Sequence, residues 1–399
     1  MSTLNQSPKL ALFCKVVDNF GDIGICWRLA RQLVHEHDID VTLWVDDLRS
    51  FQRICPPLRS DAVHQLMAGV TVRHWRDQEG VFTATEVADI VIEFFGCDLP
   101  PGYITAMTEK TPQPVWINLE GLSAEEWVEG CHTLSSPPRQ SLLKYFFYPG
   151  FTSKTGGLLR EAGLAQERRQ FQSDSLAMAA FLASLGVTAS EMATTKVSLF
   201  CYPQAPVAAL LDAWQRSAHA VTCLVPEGVA QAAVEAFLAA PALPGAVKTQ
   251  GALTVRVVPF LAQPAYDQLL WACDVNFVRG EDSFVRAQWA GRPFIWHIYA
   301  QDENLHHKKL RAFLQRYASD LASLTSFSLH WNEAATMGPD TAANISAEAV
   351  TNWPAQWAAF QAERGSMSRR AVDWEQQMAA HGDLGGNLLQ FAAAVRRSP

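Results

Sequence analysis

The chain has 399 residues, of which 49% are hydrophobic and 18% charged, and its formal net charge is -8. That length predicts two domains at roughly 100–200 residues each, with cores large enough to need no covalent staples. The acidic balance, with no Lys/Arg-rich run, argues against nucleic acid as a partner, and no apolar run approaches the ~20 residues of a membrane span. The opening MSTLNQSPK lacks the apolar stretch of a signal peptide. The eight cysteines include no CxxC and read as small buried hydrophobes in a reducing compartment, so a cytoplasmic protein is expected. Of the thirteen Trp, most are expected in the core and some along an interdomain cleft or acceptor surface.

In chain order, a strand is expected over Leu10–Val17, then a turn, Asp18-Asn19-Phe20-Gly21-Asp22, and a helix from Ile23 to His35. Strands follow at Val41–Val45, Val70–Trp75, Ala88–Phe95 and Val115–Leu119. Unbroken apolar strands mean burial on both faces, as in a doubly wound sheet. From Pro137 to about Ala189 the rhythm breaks, and this stretch, with a polar helix over Glu167–Leu185, reads as the interdomain connection. The second half restarts with strands at Val197–Tyr202, Val221–Val225, Leu253–Pro259, Asp274–Val278 and Pro293–His297. Helices are expected at Pro206–Arg216, around Tyr266–Trp271, from Ser283 through Trp289, and around Leu305–Tyr317. From about Ala347 the chain reads as helical to its end. The α/β alternation predicts two Rossmann-like domains, 1–185 and 186–368, with a C-terminal helix, 369–399, crossing back to the first.

Ligands of open α/β sheets bind outside the carboxyl ends of the strands, so two strand-to-helix turns stand out. The first holds Asp18 and Asp22 four residues apart and lacks the GxGxxG spacing of a dinucleotide turn. Two acids there suit a cationic acceptor or a general base. The same pair serves equally as a helix cap at Asp22 and a turn residue at Asp18. The second turn is Arg279-Gly280-Glu281-Asp282-Ser283. A following helix N-terminus and a fixed guanidinium suit a diphosphate, and Glu281 suits sugar hydroxyls. An ordinary capped turn with an Arg–Glu surface pair is the alternative. Phe200 with Tyr202, and Phe260 with Gln263, stand at strand ends, where aromatics stack a base and a Gln reads its edge; core packing is the competing role. His306-His307 does not share a helix face and completes no metal site.

On these residues the sequence resembles a known family. The run Phe13-Cys14-Lys15-Val16-Val17-Asp18-Asn19-Phe20-Gly21-Asp22-Ile23-Gly24, continued by Cys26-Trp27-Arg28-Leu29-Ala30-Arg31-Gln32-Leu33, is similar to the start of the bacterial elongation factor P arginine rhamnosyltransferases. Arg279–Ser283, Asn118-Leu119-Glu120 and Tyr148-Pro149-Gly150-Phe151 match as well. The resemblance implies a GT-B fold whose domains face a cleft, acceptor-binding first and nucleotide-sugar-binding second. It implies inverting transfer of L-rhamnose from dTDP-β-L-rhamnose to an arginine on the N-terminal domain of elongation factor P. That modification activates the factor to rescue ribosomes stalled at polyproline. No metal or other cofactor is implied. Carried over, Asp18 and Asp22 are the essential acids, with Asp22 the preferred base and Asn19, Phe20 and Gly21 completing the acceptor turn. Phe200, Tyr202, Phe260 and Gln263 fall at nucleotide-recognition positions, and Arg279, Glu281, Asp282 and Ser283 form the donor turn. A GT-B transferase with a small-molecule acceptor and a non-catalytic nucleotide-sugar-binding module are the rival readings.

Overall fold

A computed structural model describes residues 7–18, 20–75, 82–336 and 352–397. The chain divides into two compact units, 1–162 with 378–399, and 163–377.

The first unit is built on a seven-stranded sheet: β1 (Lys9–Cys14), β2 (Asp40–Val45), β3 (His64–Met67), β4 (Val70–His74), β5 (Ile90–Phe94), β6 (Val115–Leu119) and β7 (Lys144–Phe147), ordered β3-β4-β2-β1-β5-β6-β7. All pairings are parallel except that of β3 with β4, an edge hairpin closed by Ala68 and Gly69 at φ 47° and 80°. Without that hairpin strand the order is the 3-2-1-4-5-6 of a dinucleotide-type fold. Alternate residues of β1 feed two cores. Leu10, Leu12 and Cys14 face the helix Gly21–His37 and its neighbours, while Ala11 and Phe13 face Tyr103, Met107 and Trp116. Burial on both faces explains why the strand carries no polar residue between Leu10 and Cys14. The 21–37 helix packs through Ile23, Cys26, Trp27, Ala30 and Leu33, the stripe of a 3.6-residue period.

The second unit repeats the plan with β8 (Thr195–Leu199), β9 (Val221–Pro226), β10 (Val247–Gln250), β11 (Leu253–Val258), β12 (Val275–Arg279) and β13 (Phe294–His297), ordered β10-β11-β9-β8-β12-β13. Only β10 is antiparallel.

The first boundary falls after Ala162, earlier than the expected 185. The expected polar helix is two helices, Leu164–Ser173 and Ser175–Ser184, because the Asp174 carboxylate accepts from Leu176 N and Ala177 N and starts a new helix. Both belong to the second unit, where Phe171, Phe181 and Leu182 pack with Leu224, Val258 and Leu269. The returning segment is shorter than 369–399. Most of the helix Trp353–Ala379 stays with the second unit, where Trp374 Nε1 donates to Gln288 Oε1 at 2.8 Å. The helix Leu384–Arg397 buries Leu384, Leu388 and Ala392 in the first unit's core. Expected helix 347–351 lies outside the described residues.

All eight cysteines are free, and Cys14, Cys26, Cys201, Cys223 and Cys273 are buried. Every Trp except Trp44 and Trp127 is buried, so the rings are overwhelmingly core. Among the described residues no helix is long and apolar enough to cross a membrane.

Candidate active site

In each sheet the strand order reverses beside the first strand, between β1 and β5 and between β8 and β12. That reversal opens the crevice where ligands of such folds sit. The acid turn leaves β1, while Phe200 and Tyr202 leave β8 and the Arg279 turn leaves β12, so topology brings these residues to the two switch points, whereas Phe260 and Gln263 follow β11, two strands from β8.

In the first unit β1 ends at Cys14, short of the expected Val17. Val16 N donates not to a strand but to Asp46 Oδ1 (2.9 Å), and Val17 is exposed. The helix begins at Gly21, with Phe20 at the N-cap position and no side-chain cap. Asp22 is therefore inside the first turn and does not cap its own helix. Its Oδ2 reaches back and accepts from Val17 N and Asp18 N, both at 2.8 Å. The capping role weighed for it is thus replaced by a different one, closing the loop that precedes the helix. Asp22 is 5% exposed and Asp18 half-buried. Burial pushes the Asp22 carboxyl above its usual range; the two amide bonds oppose the rise, and the charges of Asp18 and Asp46 add to it. A Cβ on Gly21 would come within 2.9 Å of Asp18 Oδ2, so the glycine lets the Asp18 carboxylate lie against the turn. Asn19 lies outside the described residues.

At the carboxyl ends of β5 and β6, Asn118 Oδ1 accepts from Gly96 N (2.9 Å) and its Nδ2 donates to Glu120 Oε1 (2.5 Å). Gly150 packs on Thr155 too closely to admit a side chain. These two matched motifs shape strand ends rather than offer free reactive groups.

In the second unit β8 ends at Leu199, so Phe200 and Tyr202 lie in the loop beyond it and share no strand face. They are brought together instead by Arg279, whose guanidinium carbon sits 4.4 Å from the Phe200 ring centroid and 4.9 Å from that of Tyr202. Arg279 Nη1 also donates to Cys201 O (3.1 Å). Among the described residues Arg279 has no ion pair, so the Arg–Glu surface pair is not what holds it. A cation held by π faces and one carbonyl keeps its charge for a ligand.

The turn itself is pinned from both sides. Ser283 Oγ accepts from Arg279 N (3.0 Å) and donates to Arg279 O. Gly280, at φ +61°, donates its N–H to His297 O (3.2 Å) and receives Trp296 Nε1 on its carbonyl (2.7 Å). The helix Asp282–Trp289 has no side-chain cap. Its N-terminal end suits an anion by dipole and by amide donors. Gln263 is not a strand end, as expected, but the first residue of the helix Gln263–Ala272, and it is buried; Phe260 precedes it, half-buried. A buried bidentate pair, Arg286 to Asp267 (3.0 and 2.7 Å), ties this helix to the 282–289 helix.

Three residues at these sites escaped sequence reasoning. His297 Nδ1 accepts from Tyr202 N (3.2 Å), and burial, with the nearby Arg279 charge, pushes its pKa down to about 3, so it acts as a neutral acceptor. Tyr266 meets Phe200 edge-on at 5.7 Å; its place one turn after Gln263 was the available signal. Asp46 holds Val16 and stands at the end of β2, where an Asp-Asp pair follows an apolar run. His306 is a packed residue, its Nδ1 accepting from Gln301 N (3.1 Å).

Known proteins resemble this chain over nearly its whole length. A protein-arginine rhamnosyltransferase of Pseudomonas putida is 46% identical over 386 residues, covering 95% of this chain and 97% of the relative. A solved structure on EarP-mediated arginine glycosylation of translation elongation factor EF-P matches with TM-score 0.65 and 32% identity, over 97% of this chain and 99% of that one. The MurG structure from Acinetobacter baumannii aligns with TM-score 0.51 at 10% identity over 98% and 100%, a likeness of fold alone. The two Rossmann-like units are thus of the GT-B glycosyltransferase type. Residues 10–393 match the Elongation-Factor P (EF-P) rhamnosyltransferase EarP family, and the chain belongs to it.

Proposed function

We propose that this chain transfers L-rhamnose from dTDP-β-L-rhamnose to an arginine side chain on the N-terminal domain of elongation factor P, in the cytoplasm, with inversion and without a metal. The modified factor then serves ribosomes stalled at polyproline. The observation that carries the reading is a pair of turns of opposite charge in one member of this family. One is a buried carboxylate, Asp22, with a raised pKa, and the other is a cation, Arg279, with no ion pair among the described residues.

A guanidinium with pKa above ~12 is a poor nucleophile until its charge is localised and a proton leaves. Asp18 orients the acceptor guanidinium, and Asp22 takes the proton as the new N–C1 bond forms and the C1–O bond to the diphosphate breaks. A raised carboxyl pKa makes Asp22 a stronger base than an exposed aspartate. Departing charge on dTDP is met by Arg279 and by the N-terminus of the 282–289 helix. Phe200, Tyr202 and Phe260 embrace the base, Gln263 reads its edge, and Glu281 accepts from sugar hydroxyls. Asp282 and Ser283 complete the donor turn, with Ser283 positioning Arg279. Asn19, Phe20 and Gly21 belong to the acceptor side.

Metal independence draws support from the fixed cation at the donor turn, which supplies the charge a metal otherwise would. The decisive experiment is the mass of intact elongation factor P after incubation with the purified chain and donor, with and without EDTA. A gain of one rhamnosyl unit in both arms is expected. No gain without EDTA would sink the acceptor assignment, and a gain abolished by EDTA and restored by Mg²⁺ would sink metal independence. One arginine carries too little information to be selected alone, so the intact domain is modified faster than a peptide of the acceptor loop. Equal rates on free arginine would favour a small-molecule acceptor.

A further inference from the structure

A pocket of about 670 Å³ opens in the second unit away from the donor turn. It sits at the amino ends of β8 and β9, lined by Thr195 where β8 begins and by Ala220 just before β9. Phe200 and Arg279 belong to the opposite, carboxyl ends of that sheet, and β8 alone separates the two ends by roughly 16 Å at 3.3 Å per residue. One wall is a stripe of the 353–379 helix: Pro354, Trp357, Gln361 and Arg364. The other is the segment Arg216–Ala220 that follows the helix Val207–Gln215.

The lining is rich in donors and has no carboxylate among the described residues. Arg364 Nη1 donates to the neutral hydroxyl Thr195 Oγ1 (2.9 Å), and among the described residues it forms no ion pair. Gln361 Nε2 and Trp357 Nε1 are buried with no hydrogen-bond partner among the described residues, and Trp357 is only 2% exposed. Buried donors left unmade are costly, and such groups recur where a ligand completes them. His219 and Ser217 add polar reach. One feature opposes an anion: the carbonyl end of the 207–215 helix lies here. Arg216 sits at that end, but Asp212 shares its charge through two hydrogen bonds, so Arg216 offsets the dipole and Arg364 is the cation that remains. Alanines 193, 213, 218, 358 and 362 with the Trp357 ring supply apolar wall for a carbon skeleton. A volume in the ~300–1,000 Å³ range of small-molecule sites fits a metabolite rather than a lone ion.

We infer that this pocket binds a small organic anion, a carboxylate- or phosphate-bearing metabolite, with Arg364 as its cation and with Gln361 and Trp357, whose N–H groups lack partners among the described residues, in the wall beside it. The site is separate from the sugar-donor turn, and its occupancy is independent of the transfer reaction.

Calorimetric titration of the full chain with citrate, and separately with inorganic pyrophosphate, each with and without saturating dTDP, tests it. At least one probe is expected to bind one-to-one with a Kd below about 1 mM, undisplaced by dTDP. Citrate alone identifies a carboxylate ligand, and pyrophosphate alone a phosphate-bearing one. Arg364→Gln should weaken that binding on the order of tenfold or more, with an unchanged melting temperature. Should that variant melt early, Gln361→Leu on the same wall carries the comparison. Binding of neither probe overturns the inference, as does full affinity in a well-folded variant. Loss of binding in the presence of dTDP would place the anion at the donor turn and overturn it equally.

Discussion

The two strand-to-helix turns, after β1 and after β12, use one backbone device with opposite chemistry. In each, a side chain four residues on accepts the N–H of the residue that opens the turn. Asp22 Oδ2 takes Asp18 N at 2.8 Å, and Ser283 Oγ takes Arg279 N at 3.0 Å. The opening residue is an acid in one and a base in the other. A carboxylate clasp adds a negative charge to the turn it closes and a hydroxyl clasp adds none, although Asp282 places an acid in the first turn of the second helix as well. The difference teaches that the fold supplies a rigid turn and that the residue opening it, Asp18 or Arg279, sets the charge it presents.

Each turn can be broken separately, and the largest expected effect is on stability. Asp267→Ala leaves Arg286 buried and unpaired between the 263–272 and 282–289 helices, and should cost about 3–5 kcal/mol in chemical denaturation. Variants at Asp18 in the first turn should be milder, because that side chain is only half-buried. Next comes the transplanted clasp: Ser283→Asp keeps an acceptor for Arg279 N but puts a carboxylate where the diphosphate binds. Affinity for dTDP-rhamnose should fall on the order of a hundredfold, about 2.7 kcal/mol, read by calorimetry. Glu281→Ala should weaken dTDP-rhamnose by on the order of tenfold with the fold intact, as expected for one lost charged hydrogen bond. Smallest is Gly21→Ala. The added methyl meets the end of a half-buried Asp18 side chain, so melting should shift little while turnover falls as Asp18 is displaced.

How far the sequence carried these conclusions varies by element. Strand Val115–Leu119 and helix Leu305–Tyr317 were legible to the residue, because an apolar run or a helical stripe is bounded by its own turn signals. Strands β3 and β10 were missed. Both are antiparallel edges with mostly exposed residues, so no apolar run marks them. β7 was hidden inside the supposed connection, since Lys144–Phe147 is only partly buried and reads as loop until β6 is placed beside it. The longer β1 expected from Leu10 to Val17 fails for a similar reason: Val16 and Val17 favour strand, but the chain there turns to Asp46 instead of a neighbouring strand. Asp18, Asp22 and Arg279 were visible as charges at strand ends. That Asp22 closes the loop behind it, and that Arg279 gathers Phe200 and Tyr202, depends on contacts the linear pattern does not encode, in the second case between segments far apart in sequence. His297, nearly a hundred residues from Tyr202, carries no local sign of its role.

The central claim is that Asp22 acts as a base and not only as a clasp. Asp22→Asn separates the two, because the amide oxygen keeps an acceptor for Val17 N and Asp18 N while the basicity is gone. The sign of the stability change follows from the raised pKa. A carboxyl whose folded pKa lies above its unfolded value loses stability as pH rises from the ordinary aspartate range, about 3.9, through the folded value, and the neutral amide escapes that loss. The variant should therefore melt at neutral pH no lower than the parent and bind dTDP-rhamnose equally well. Its transfer to elongation factor P, followed by intact mass, should fall by on the order of 10²–10⁴-fold. Full turnover in Asp22→Asn would contradict the account and leave Asp22 with a structural role alone.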